Sequence, residues 1–128
     1  MDGPRHVIAL GDTHCGHVAG LTPPKWQYRQ ESDDVYLKHF GEMQHTMWAW
    51  YANVCKSMQP VDVLIVNGDC IDGRGEASGG TELITTDRRE QALMAAECIR
   101  EMHAKKVFMI YGTPYHTGKE EDWEAVVA

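Results

Sequence analysis

The chain has 128 residues and a mass of 14.4 kDa, which provides for one hydrophobic core and leaves no room for a separate second one. Its formal charge of −7 argues against a general nucleic-acid-binding surface, but not against processing of nucleic acid through bound metal. No apolar stretch approaches the roughly 20 residues that span a bilayer, and the first residues lack the apolar core of a signal peptide. We therefore expect a cytoplasmic protein with four reduced cysteines, because their wide spacing, without a Cys-x-x-Cys pair, indicates neither a zinc knuckle nor a disulfide framework.

The first apolar run predicts a buried strand over residues 6–10, because it is too short and too rich in β-branched residues for a helix. A long loop over residues 11–33 follows, in which Gly16, Gly20 and the pair Pro23-Pro24 interrupt any regular pattern. A loop of this length in a small domain is more often functional than not.

The next predicted element is a long helix. Ser32, Asp33 and Asp34 supply the residue types that begin a helix, and the pair Gln59-Pro60 ends it. Its apolar residues recur at spacings of three and four, so we expect them to share one face. These residues are Tyr36, Phe40, Met43, Met47, Trp50, Tyr51, Val54 and Met58.

The second half of the chain repeats this alternation. Residues 61–66 predict a second strand, a glycine-rich polar segment over residues 73–86 follows it, and residues 107–111 predict a third strand. Before the third strand, Asp87 with Glu90 three residues later resembles a capping box that opens a second helix. Strands that alternate with amphipathic helices predict an α/β fold, here a parallel-stranded βαβαβ unit.

Polar clusters follow each of the three predicted strands. In a parallel sheet the turns after the strands leave from one edge, so we expect these clusters to converge. They are Asp12 and His14, Asp69 and Asp72, and Thr113 and His116. Carboxylate oxygens together with imidazole nitrogens suit manganese, iron or zinc better than calcium.

Each cluster also has a simpler explanation. A Gly-Asp pair after a strand often serves only as a turn or a helix cap. Two such pairs occur here, at Asp12 and Asp69, each after an apolar run, and one has a histidine two residues later, which favours metal ligands. Cys15 and Cys70 adjoin these residues, but we expect them to be small buried side chains.

The order of these motifs resembles that of a known enzyme family. Residues 11–14, 68–72 and 112–118 look like the G-D-x-H, G-D-x-x-D and G-N-H-[DE] blocks of the calcineurin-like metallophosphoesterases. Residues 20–24 and the form of the third block further resemble a variant common in phage and prophage members. The resemblance implies a single metallophosphoesterase-like domain over residues 1–128, which matches only the N-terminal half of the family's α/β sandwich.

The resemblance also implies a function, the hydrolysis of phosphoester bonds at a centre of two divalent metal ions. By the family's pattern Asp12 and His14 would hold one ion, and Asp69 would bridge both. Two such ions clamp a phosphoryl group and stabilise its in-line displacement. Asp72 would orient the loop or a ligand from behind the centre, and His116 would protonate the leaving oxygen or stabilise the charge of the transition state.

The third block departs from the family's pattern. Thr113, a weak ligand, stands where the family has Asn, Pro114 displaces the histidine by two residues, and the family's later histidine blocks do not occur before Ala128. One alternative is that residues 1–128 are a truncated piece of a longer enzyme. Another is a short enzyme that completes its metal centre with water, with His17 or with a partner subunit. A third is a truncated or degenerate non-catalytic module that binds metal or phosphate.

Two further expectations concern partners. An unfinished sheet edge favours self-association, so a homo-oligomer is one expected state. The resemblance leaves the substrate class open among phosphate monoesters, diesters, nucleotides and nucleic acid.

Overall fold

The computed structural model describes residues 5–73, 80–110 and Val127. Strands and helices alternate along these residues, which confirms the α/β class, and each strand lies within about two residues of its predicted position. Neither described helix is long and apolar enough to cross a membrane. The elements are β1 (Val7–Leu10), a short 3-10 helix (Pro24–Trp26), α1 (Val35–Met58), β2 (Val63–Val66), α2 (Arg88–Arg100) and β3 (Lys106–Met109).

The three strands form one parallel sheet, as the alternation of strands and helices predicts, and their order in the sheet is β1-β2-β3. Leu10 lies beside Val66, and Val66 lies beside Met109, so the last residues of all three strands are level with one another. The chain segments after the strands therefore leave from the same edge of the sheet. This level register is what places the polar residues after β1 next to those after β2.

The two faces of the sheet have different environments. Leu64 and Val66 are almost fully buried in a core cluster that includes Tyr51 of α1 and Met94 of α2. The strand residues that alternate with them point to the other face, where Phe108 is 57% exposed. Within the described residues, the core therefore lies on one side of the sheet.

The helix α1 begins and ends as predicted, but its buried residues coincide with the predicted apolar face only at Tyr51. The Asp34 side chain caps it by accepting hydrogen bonds from the backbone N–H groups of Tyr36 and Leu37, at 2.9 and 3.3 Å. The buried residues are Gly41, Gln44, Tyr51 and Cys55, whereas Tyr36 and Trp50 are exposed. Gly41 is buried because the backbone of Tyr28 packs where a side chain would lie. A small residue and a polar one thus occupy the buried stripe, which a hydropathy pattern does not detect.

Only one of the two hydrogen bonds of the predicted capping box forms at the start of α2. Asp87 caps the helix by accepting a hydrogen bond from the Arg89 N–H at 2.9 Å. The N–H of Asp87 donates to Thr85 Oγ1 at 3.1 Å, not to Glu90. The Glu90 carboxylate accepts instead from the indole N–H of Trp26 at 2.9 Å, so it ties α2 to the long loop after β1.

Candidate functional site

The predicted residues that the structure describes meet at the carboxyl ends of β1 and β2. His14 lies between two carboxylates: its Nδ1 is 3.2 Å from Asp72 Oδ1, and its Nε2 is 3.5 Å from Asp12 Oδ1. Asp69 lies in the same pair of loops. Thr113 and His116 lie outside the described residues. The convergence expected from a parallel sheet thus holds for the first two polar clusters.

Backbone hydrogen bonds join the loop after β1 to the loop after β2. The N–H of His14 donates to the carbonyl of Asp69 at 3.1 Å, and the N–H of Cys15 donates to that of Cys70 at 2.8 Å. The N–H of Asp72 donates back to the carbonyl of Cys15 at 3.0 Å. These bonds continue the parallel pairing of the strands past the end of the sheet, so they fix the position of His14 relative to Asp72.

Three of the four predicted residues in these loops have left-handed backbone conformations. The φ angles of Asp12, His14 and Asp69 are 55°, 46° and 51°. This conformation is uncommon for residues other than glycine and costs of order 1 kcal/mol or more at each position. Residues of this kind cluster at functional sites, where the surrounding structure holds them in place. The strain therefore supports a functional role for the loops that is independent of the motifs.

Two glycines allow the loop after β1 to fold tightly. A side chain at Gly20 would collide with the backbone carbonyl of His14, and one at Gly16 would overlap the amide of Gln91. Gly16 also has a φ of 108°, which side chains disfavour. Both glycines are thus needed for the close packing that holds the His14 segment.

A buried glutamine on each helix holds the loops in place. Gln91 of α2 accepts from the N–H of Gly73 at 3.0 Å and donates to the carbonyls of Gly73 and Thr85, at 2.8 and 2.9 Å. Gln44 of α1 donates to the carbonyl of Val18 at 2.9 Å and accepts from the N–H of Tyr28 at 2.8 Å. Sequence reasoning missed both residues. The signal that could have found Gln44 is its spacing from Gly41 and Trp48, which places it on the inner side of the helix.

Buried thiols lie behind the loop after β1. The sulfurs of Cys15 and Cys98 are 3.7 Å apart, and both side chains are fully buried. The contact with Cys15 and the loss of solvation raise the pKa of Cys98 well above the ordinary value of a thiol. Burial also raises the pKa of Cys55. Cys98 and Cys55 are therefore neutral thiols at physiological pH, as expected for small core residues rather than thiolate ligands.

His17 does not share the environment of His14. Its Nδ1 accepts a hydrogen bond from the backbone N–H of Ala19 at 3.0 Å, and its Nε2 is 3.3 Å from Glu82 Oε2. Both ring nitrogens are thus engaged with the surrounding chain. These contacts give His17 a role in joining the loop after β1 to residue 82.

A pocket of about 560 Å³ opens at this edge of the sheet. Its lining includes the carboxylates of Asp12 and Asp72, the imidazole of His14 and, from α1, the side chains of Met47 and Trp50. A volume of this size is typical of a small-molecule site. Asp69 is not among the lining residues, and no group of three His, Cys, Asp or Glu side chains in the described residues is arranged to hold a metal ion. The other lining residues are Leu10, Gly11, Thr13, His17, Ala19, Gly20, Leu21 and Tyr51.

Comparison with known proteins adds no family to this description. No protein-family model and no curated protein matches the chain. Inference of function therefore depends on the side chains of the two loops and on the pocket that they line.

Proposed function

We propose that this protein is a metal-dependent hydrolase of phosphoester bonds, with its active site at the carboxyl ends of β1 and β2. The observation that carries the proposal is the placement of His14 between Asp72 and Asp12. The resemblance to the N-terminal half of the metallophosphoesterase domain supports the same function. We propose that the βαβαβ unit corresponds to that half.

The contacts of His14 fit a metal ligand. When Nδ1 carries the proton and donates it to Asp72, Nε2 becomes the basic nitrogen, and it faces Asp12. A carboxylate behind a histidine in this way fixes the tautomer of a metal-binding imidazole. Two ligands of one tetrahedral ion, each bound at about 2.1 Å, lie roughly 3.4 Å apart. The observed 3.5 Å between Nε2 and Asp12 Oδ1 is compatible with that spacing.

The remaining roles follow the family's pattern. Divalent cations, two ions of manganese, iron or zinc, would polarise the phosphoryl oxygens and lower the pKa of the attacking water. In this proposal Asp12, His14 and Asp69 would hold the ions, and Asp72 would orient the His14 ring. His116 would protonate the leaving oxygen or stabilise the charge of the transition state, and Thr113 would be a weak additional ligand. We propose a phosphoester as the substrate, with no part for a membrane.

A second candidate is a non-catalytic module that binds metal or phosphate. The observation that favours it is that the described residues bring two candidate ligands together, Asp12 and His14, without a third. Such a module would need a partner or a further segment for catalysis. The two functions differ in turnover and agree in metal binding.

The test measures metal binding and turnover in parallel. Manganese titration by calorimetry and hydrolysis of bis(p-nitrophenyl) phosphate and p-nitrophenyl phosphate are compared for the wild type, Asp12→Asn, Asp69→Asn and Asp72→Asn. We expect manganese-dependent turnover, its loss in Asp12→Asn and Asp69→Asn, and about 10- to 100-fold weaker metal binding in Asp72→Asn.

The matched control is Asp33→Asn, since Asp33 is an exposed aspartate that lies apart from the pocket. It should behave as the wild type in both measurements. Metal binding without turnover would establish the non-catalytic module. Absence of both metal binding and metal-dependent turnover would contradict the hydrolase and the metal-binding form of the module.

A further inference from the structure

One wall of the pocket is not used by the proposed chemistry. Met47 and Trp50 lie three residues apart on α1, so their side chains are neighbours, and both line the same pocket as Asp12 and His14. Trp50 is 67% exposed, although Trp is a residue whose ring is usually largely buried. Leu21 extends the apolar lining. An exposed indole beside a candidate catalytic site indicates a surface that a ligand covers.

The chemistry of this wall restricts what it can bind. The lining residues that α1 contributes are Met47, Trp50 and Tyr51, and none of the pocket residues in the described part of the chain is Lys or Arg. A second phosphate or a carboxylate would therefore find no cationic partner on the wall. A neutral planar group would instead gain stacking on the indole ring and contact with the polarizable Met47 thioether.

We propose that Met47 and Trp50 form the subsite for the base of a nucleotide, so that the phosphoesters bound here are those of nucleosides. The proposal rests on the function proposed above, because it places the phosphate at Asp12 and His14. A pocket of about 560 Å³ has room for a phosphate and an attached base. Stacking on an aromatic side chain tolerates any base, so the subsite selects nucleotides as a class and does not distinguish among bases.

The test compares two probes that carry the same phosphate. Adenosine 5′-monophosphate and ribose 5-phosphate are titrated into the protein with manganese present, and affinity is followed by calorimetry. We expect the nucleotide to bind about 10- to 100-fold more tightly, which is the range that base stacking provides. Trp50→Ala should abolish this preference and leave the affinity for ribose 5-phosphate unchanged, while Trp50→Phe should retain part of it.

The matched control is Tyr36→Ala. Tyr36 is also an exposed aromatic residue of α1, but it lies against Phe40 and does not line the pocket. The preference for the nucleotide should be unchanged in this variant. Because the comparison depends on the difference between two phosphates, it reports on the wall even when neither compound is hydrolysed.

Four results would overturn the subsite. Equal affinities for the two probes, or undetectable binding of the nucleotide, would exclude a base on this wall. A preference that survives Trp50→Ala would place the base elsewhere. If Trp50 instead packs between two copies of the chain, Trp50→Ala lowers the mass measured by sedimentation and leaves the nucleotide preference unchanged, which also excludes the subsite. Failure of the function itself is recognised separately, by the loss of metal binding and turnover in the preceding test.

Discussion

The two ends of the parallel sheet are built from the same three strands, yet their backbones and charges differ. At the amino end, Asp62 accepts a hydrogen bond from the His6 N–H at 2.9 Å and lies 3.3 Å from the Lys105 ammonium group, so its carboxylate is paired with a donor and an opposite charge. At the carboxyl end, Asp12, His14 and Asp69 have left-handed backbones, and His14 lies between two carboxylates.

This difference indicates that contacts at the amino end of the sheet mainly stabilise the fold, whereas the carboxyl end holds the candidate functional residues. The amino end contains favourable contacts around Asp62 and one left-handed residue, His103 in the turn before β3, whereas the carboxyl end holds acidic groups and three left-handed residues in a fixed arrangement. Strain of that kind persists only where the surrounding structure determines it. Gln91 and Gln44 are the residues that supply this support, since both are fully buried and both bond to the loop backbones. The following substitutions test each end of the comparison.

The largest effect is expected for Gln91→Ala, which removes support from the carboxyl end. The substitution leaves the N–H and carbonyl of Gly73 and the carbonyl of Thr85 without their partner, and it opens a cavity. Since each buried polar group without a partner costs about 1 to 3 kcal/mol, we expect a loss of about 3 kcal/mol in the free energy of unfolding. Urea denaturation followed by circular dichroism measures it.

The control for this prediction is Leu93→Ala, on the same helix. Leu93 is a large side chain that is 47% exposed, so its truncation should change the stability by about 0.5 kcal/mol or less. Equal losses for Gln91→Ala and Leu93→Ala would contradict the role of Gln91. A selective loss in Gln91→Ala would show that the site loops depend on contacts from α2.

A smaller effect is expected when an aspartate at either end is replaced by Gly or by Ala. The difference in stability between the Gly and Ala variants should have opposite signs at the two ends of the sheet. At Asp12, where φ is 55°, Asp12→Gly should be more stable than Asp12→Ala by about 1 kcal/mol, because alanine is strained in the left-handed region. Asp62 is not among the residues of positive φ. There, Asp62→Ala should be more stable than Asp62→Gly, since glycine has more freedom to lose on folding.

Thermal unfolding of the four variants measures this reversal, and each pair is compared at one position, so the loss of the carboxylate cancels. The same order at both positions would mean that Asp12 stores no strain. A reversal would show that the fold accepts an unfavourable backbone at the residue whose carboxylate faces His14.

The architecture, and the contact between the loops after β1 and β2, could be predicted because they follow from hydrophobic periodicity and sheet topology. Short β-branched runs such as residues 61–66 have one plausible conformation, and a parallel sheet puts Asp12 and Asp72 at the same edge. What could not be predicted depends on three-dimensional packing. Gln44 and Gln91 are polar residues in helices, and a pattern of hydropathy assigns such residues to the surface.

Trp50 is the opposite case, an apolar residue that a hydropathy pattern assigns to the core but that is exposed. Its spacing along α1 predicts a place on the apolar face, but of that face only Tyr51 is buried, in a stripe with Gly41 and Gln44. Periodicity finds a set of apolar residues on a helix without distinguishing which of them meet the core and which line a pocket. The left-handed backbones at Asp12 and His14 are equally invisible in the sequence, since the glycines that usually mark such positions are at Gly11 and Gly16 instead.

The smallest effect is expected at the amino end and depends on pH. The hydrogen bond from the His6 N–H, followed by the one from Lys105, lowers the pKa of Asp62 below its ordinary value of 3.8. A carboxyl group whose pKa is lower in the folded state stabilises the fold at any pH above its unfolded pKa, and this contribution is lost as the pH falls through the folded value. Asp62→Asn should therefore lower the unfolding midpoint near neutral pH and have progressively less effect below about pH 4.

Urea midpoints of the wild type and of Asp62→Asn from pH 7 to pH 2.5 measure this convergence, with Asp33→Asn as the control for the loss of a surface charge. A difference that stays constant over the whole range would mean that the Asp62 charge contributes nothing. Metal binding by Asp62→Asn should equal that of the wild type at pH 7, because Asp62 is at the far end of the strands from Asp12 and His14. If Asp62→Asn lowers the stability of the fold but leaves the affinity for metal unchanged, the two ends of the sheet have separate roles. The amino end then stabilises the protein, and the carboxyl end is the one that we propose to be its active site.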